Sequence, residues 1–281
     1  MAKELDHEVD PRETLIRWHL ASGVDALLDE MPHDRFSEKP AADIIAANPE
    51  PRSSSRLSSK PVAAPRAAAT PILAGGSSDE WAHKAHQQAQ AASNLTELRA
   101  ALEGFEGIAL KRTARSLLMA DNMVPGGIII LGDLPEADDE RSGEIFSGRA
   151  GVLLDLMLGS IGLSRDNVAL TMSVPWRPPG NRAPTTQELS TLAPFLRRQL
   201  QLLQPKLILS FGTSGAQMLG DRSETILKLR GQWLDLTLDD KTVPMLVTFG
   251  PGHLLRHPAQ KLFAWRDFKS LRERLLSMPK A

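Results

Sequence analysis

The stretch GGIIILGDLPEADDERSGEIFSGRAGVLLD, residues 126–155, decides how the chain is read. Ile128, Ile129, Ile130 and Leu131 form an unbroken apolar run, the mark of a strand buried on both faces. The run breaks at Gly132 into an acidic segment with Asp133, Asp138, Asp139 and Glu140, and Phe146 follows between Gly143 and Gly148. From Arg149 the spacing turns helical, with Val152, Leu153, Leu156 and Met157 apolar. A buried strand, a loop of carboxylates and a ring, then a helix: an open α/β sheet presents a site in this way, at the carboxyl end of a strand.

Downstream the pattern recurs. Residues 168–174, 207–211 and 245–249 read as three further strands, each ending in a break. Helical spacing fills 149–161, 187–203 and 213–219, and a last helix runs over about 258–276. Strands alternating with helices predict a four-stranded parallel sheet covered on both faces. The loops after its strands, 133–146, 175–182, 212–215 and 250–256, are expected to converge at one edge. Upstream, 79–103 reads as one helix capped by Ser77 or Ser78, with Trp81, Ala85, Ala89, Ala92, Leu95, Leu98 and Leu102 as its apolar stripe. Residues 105–122 read as an irregular lead-in to the first strand. The expected organisation is an N-terminal helical segment (1–31) that could dock a protein partner, an Ala/Pro/Ser-rich linker (32–78) and an α/β domain (79–281).

Composition narrows the chemistry. Among 281 residues there is no cysteine, which excludes disulfides, a thiolate nucleophile and cysteine-held metal; no metal or other cofactor is expected. No apolar run reaches the ~20 residues of a membrane span, and the opening MAKELDHEVDPRE is too acidic for a signal peptide. A soluble, cytoplasmic protein without membrane contact is the expectation. The net charge of −1 is unevenly split, with 11 basic and 16 acidic residues in 1–104 but 22 and 18 in 105–281. A mildly basic C-terminal part permits a nucleic-acid partner without requiring one.

Each loop has a functional and a plain structural reading. Asp133 sits just past a buried strand, where burial and neighbouring acids raise a carboxyl pKa and suit it to handling a water; a solvated, capping turn is the alternative. PWRPPGNR (175–182) sets Arg177 and Arg182 around a turn stiffened by three prolines, fit for phosphates or simply a surface turn. The small residues of FGTSGAQMLG (211–220) suit either a phosphate at a helix start or close helix–sheet packing. In TFGPGHLLRHP (248–258), Leu254 and Leu255 beside Arg256 form either an apolar wedge for DNA or a cap on the core.

Taken together, GRAGVLLDLMLGSIGL, WRPPGNRAPTTQELSTLAPFLRRQL, QPKLILSFG, LRGQW and HLLRHPAQKLFAWRDF resemble, in order and spacing, the family-4 uracil-DNA glycosylases over about 98–276. The resemblance implies a three-layer α/β/α sandwich, DNA as partner, and a base flipped into a pocket. It implies a stacking ring at Phe146 and a water-placing carboxylate at Asp133, with Asp139 in the acidic stretch behind it. It also exposes departures. The base-reading asparagine falls on Met172, and the histidine that steadies the departing base falls on Gly250, leaving His253 three residues on as the nearest substitute. The usual iron–sulfur cysteines have no counterpart, and Phe105, Ile108, Trp176 and Leu192 occupy or neighbour their places. A bidentate base contact is worth ~1–3 kcal/mol and an oxyanion donor ~2.7–4 kcal/mol. Their joint loss predicts a rate deficit of about 10³–10⁵. The sequence therefore leaves open a glycosylase with weakened or altered activity, and a catalytically silent DNA-binding or interaction protein on the same fold.

Overall fold

Ile128–Gly132 forms β1, buried along its whole length as the apolar run predicts. This is a computed structural model, and it describes residues 78–120 and 127–278. The expected N-terminal segment 1–31 and the linker of 32–78, save Ser78, lie outside the described residues. After β1 come β2 (Ala169–Met172), β3 (Leu207–Phe211), β4 (Trp233–Leu238) and β5 (Lys241–Thr248). Their order is β2-β1-β3-β5-β4. The first four in that order are parallel, with Ile130 beside Leu170 on one side and Leu209 on the other.

The fifth strand corrects the expected count of four. β4 pairs antiparallel with β5 across a two-residue turn, Leu238 opposite Lys241. Being an edge strand, it buries only one face: Leu234, Leu236 and Leu238 point inward while Asp235 and Thr237 are exposed. Such a strand shows alternation instead of an apolar run, and alternation over six residues is easily overlooked.

The helices are α1 (Ser78–Ala91), α2 (Leu95–Gly104), α3 (Ala137–Ser142), α4 (Gly148–Gly159), α5 (Thr186–Leu203), α6 (Ser214–Gly220), α7 (Ile226–Leu229), α8 (Pro251–Arg256) and α9 (Lys261–Ser277). The single helix expected over 79–103 is two. Asn94 caps α2 by accepting the Glu97 N–H at 2.9 Å, and Glu97 in return accepts the Ser93 N–H at 2.7 Å. Two capping residues inside an apolar stripe end one helix and start the next. Arg198 of α5 then holds the Ala92 carbonyl with two donors.

Alternate strand residues feed two cores. Ile129, Leu131, Ile208, Met245 and Val247 pack with α1, α2, α5 and α6. Ile128, Ile130, Leu207, Leu209 and Leu246 pack with α4, α8 and α9. The result is a three-layer α/β/α sandwich. Among the described residues, no helix is long and apolar enough to cross a membrane.

Candidate active site

The loops after the four parallel strands do converge. At the carboxyl ends of those strands lies a cavity of about 890 Å³, with walls supplied by every one of those loops and by residues 223–226. That last segment, which begins α7, carried no motif and was not anticipated.

Asp133 leaves β1 directly into this cavity. Burial raises its pKa above the ordinary carboxylate value, and the hydrogen bonds of Ser214 oppose the rise. The Ser214 N–H at the start of α6 donates to Oδ1 at 3.0 Å. The small residues of that turn therefore receive an internal carboxylate, where the sequence had left open a phosphate or close helix–sheet packing. Gly212 makes the approach possible: it has φ of +73°, and a Cβ there would collide with the Asp133 carboxylate.

Phe146 lines the cavity, with its ring edge-on to Phe211 at 5.7 Å. Its φ of 55° is unusual for a residue with a side chain; such a conformation persists only where the surroundings enforce it. Here Arg165 donates to the carbonyls of both Ile145 and Phe146 and pairs with Asp155 at 2.6 Å. Asp139 is the second brace. It is buried, and Oδ1 accepts from the N–H (2.7 Å) and hydroxyl (2.9 Å) of Ser147, while Oδ2 accepts the Glu136 N–H at 2.9 Å. The segment read as an acidic loop is in part the short helix α3, capped by Glu136, and Asp139 closes its capping box from the third helical position. Its oxygens are engaged in holding Phe146 in place, which argues against direct work on a water.

Met172, grouped with the base-binding positions, is only 2% exposed and forms no part of the cavity wall. It sits in the core, paired with Gly132 across the sheet, its sulfur where a Cβ on Gly132 would lie. Gly250 does line the cavity and leads into α8. His253 faces the same space, but its ring stacks flat on Phe249 at 4.8 Å, and Nε2 lies 2.7 Å from the Gln260 side-chain oxygen Oε1.

The residues expected to touch DNA fare unevenly. Leu254 is 0% exposed in the core between α8 and the sheet, so it is no wedge. Leu255 is half-buried against the same core. Of the three arginines only Arg256 lines the cavity, and each already meets a carboxylate. Arg177 pairs with Glu140 at 2.8 Å, Arg182 grips Glu188 with two bonds of 2.8 and 2.6 Å, and Arg256 pairs with Glu136 at 2.8 Å. Gly252 permits the last of these, since a Cβ there would collide with the Glu136 carboxylate.

The positions that the resemblance assigns to iron–sulfur cysteines do not fit such a cluster. Phe105, Ile108, Trp176 and Leu192 are all apolar and at most 4% exposed. Trp81, Phe105 and Phe195 meet there edge-on, with centroids 5.7 and 5.4 Å apart. With no thiolate or imidazole in the set, packed rings occupy the place.

The chain is similar to known proteins. The family profile of the Uracil DNA glycosylase superfamily matches residues 125–269. A type-4 uracil-DNA glycosylase of Archaeoglobus fulgidus is 33% identical over 162 residues, covering 54% of this chain and 81% of the relative. That of Sulfurisphaera tokodaii is 32% identical over 163 residues, covering 54% and 74%. That of Thermotoga maritima is 31% identical over 154 residues, covering 54% and 78%.

Proposed function

The chain belongs to the uracil DNA glycosylase superfamily, and from that premise we propose that it hydrolyses the N-glycosidic bond of uracil or a related damaged base in DNA, more slowly than its relatives. The observation that carries this reading is that Asp133 and Phe146 line one cavity at the strand ends. The base stacks on Phe146. Asp133 orients a water and accepts its proton as the water oxygen bonds to C1′. The C1′–N bond breaks, and its electron pair leaves with the base as an anion. In its ionised form Asp133 also steadies the cationic sugar.

The slowness has a local cause. At Gly250 no side chain can donate to the departing anion, and His253 is held by Phe249 and Gln260. Incubation with single-stranded DNA containing uracil, followed by alkaline scission at abasic sites, tests the proposal. Strand scission above that of an Asp133→Ala control is expected. Equal scission by the two would sink the enzymatic reading.

A second reading rests on the same glycine and on the burial of Met172: the fold is kept as a DNA-binding module without chemistry. It predicts salt-sensitive binding to DNA together with no abasic sites from any base tested.

A further inference from the structure

With Met172 inside the core, the groups left to read a base must come from the cavity wall itself. Two amides line it, Asn181 and Gln217. The Asn181 oxygen already accepts from Arg177 Nε at 2.9 Å, so this amide is in part engaged. Among the described residues, no hydrogen bond engages the Gln217 side chain. The cavity-lining carboxylates are spoken for: Asp133 by Ser214, Glu136 by Arg256, Asp139 by Ser147, and Glu224 by Arg222 at 3.1 Å. Gln217 is thus the one lining side chain that offers an unengaged amide donor and acceptor side by side. Its position suits the task. It lies on α6 three residues beyond Ser214, and side chains so spaced share a helix face with Cβ atoms about 5–6 Å apart. The residue that fixes Asp133 and the free amide therefore stand together.

We infer that Gln217 reads the edge of the base by a bidentate contact, taking over from another wall of the cavity the reading that Met172 cannot perform. The ligand is a base with a lactam edge, an N–H beside a carbonyl oxygen. Uracil carries such an edge, and so does hypoxanthine; a cavity of about 890 Å³ has room for either. This inference rests on the glycosylase reading.

Its test is binding to single-stranded oligonucleotides in which a 2′-fluorine prevents cleavage by disfavouring the cationic sugar. Four probes are compared: uracil, its N3-methyl derivative, hypoxanthine, and a stable abasic analogue. The expected result is that the full-length protein binds uracil or hypoxanthine about tenfold more tightly than N3-methyluracil. In Gln217→Ala and in the similarly shaped Gln217→Leu, that preference falls to near one while abasic affinity is unchanged. Phe146→Ala should instead weaken all base-containing probes alike. A preference that survives both Gln217 variants overturns the inference and leaves the glycosylase reading intact. Uracil excision by a wild type that binds all four probes alike overturns it too. No preference and no excision removes both.

Discussion

The donor that the proposed reaction lacks at Gly250 is a question of one side chain, and the backbone conformation there admits one. Gly250 has φ of −75° and ψ of 158°, which any residue adopts, but an added Cβ would lie 3.3 Å from that of Phe211, so Phe211 must yield by a few tenths of an ångström. Gly250→His is therefore expected to fold and to raise uracil excision by about 10²-fold, the usual worth of an oxyanion donor, when single-turnover rates are compared. Asp133 supplies a second test at this scale. Its pKa is raised in the folded protein, so folding takes up protons between the ordinary aspartate value and the raised one. Stability from this group is full below the unfolded pKa and is lost as pH rises through the folded one. Asp133→Asn should accordingly melt higher than wild type at neutral pH, and the difference should vanish in acid. Excision needs the ionised form, so its acid limb should track the raised pKa. Ser214→Ala removes a hydroxyl that favours the carboxylate, and the limb should move to higher pH, a shift that lost stability alone would not produce.

At the scale of the element, α8 separates two meanings of one dipeptide. Leu254 faces the core and Leu255 lies at its margin. Leu254→Ala should cost about 2–5 kcal/mol in urea unfolding, the toll of a core cavity, and leave the DNA affinity of the remaining folded protein unchanged. How far the elements were legible follows from similar local reasons. β1 and β3 announce themselves because both faces are buried, so every residue but Ser210 is apolar. β4 hides because its outward positions are polar. The break between α1 and α2 was written in Ser93 and Asn94 but masked by an apolar stripe that continues across it. The site is divided in the same way. Asp133 and Phe146 stand beside a recognisable strand. The engagement of Arg177 with Glu140, 37 residues away, and of Arg256 with Glu136, 120 away, depends on tertiary folding that no local pattern records.

Across the whole molecule those pairings set how the rim meets a polyanion. Arg177 and Arg182 come from the segment after β2 and Arg256 from the end of α8, and two of their carboxylate partners belong to the acidic segment after β1. The rim is partly neutralised from within, and DNA phosphates must compete with Glu136 and Glu140. The exposed Arg256–Glu136 pair is the easiest to undo, because solvent-exposed pairs contribute little to stability. Glu136→Gln should tighten binding to single-stranded DNA several-fold at low salt. It should also steepen the dependence of log affinity on log salt by about one, as expected when a single cation is released to a phosphate.

The ring-filled patch around Phe105 has a consequence for the life history of the protein. Its shape comes from packed apolar side chains, and with no cysteine in the chain there is no thiolate–iron bond for oxidants to attack. Denatured in urea and diluted into buffer holding a chelator and no reductant, it should regain its full unfolding transition. Phe105→Ala, by contrast, should lower the melting temperature by roughly 6–20 °C, the ~3–5 kcal/mol of a lost buried ring spread over a domain of this size. Such a protein could be made at constant yield through iron starvation and air exposure alike, conditions under which a metal-assembled homologue would accumulate unfinished.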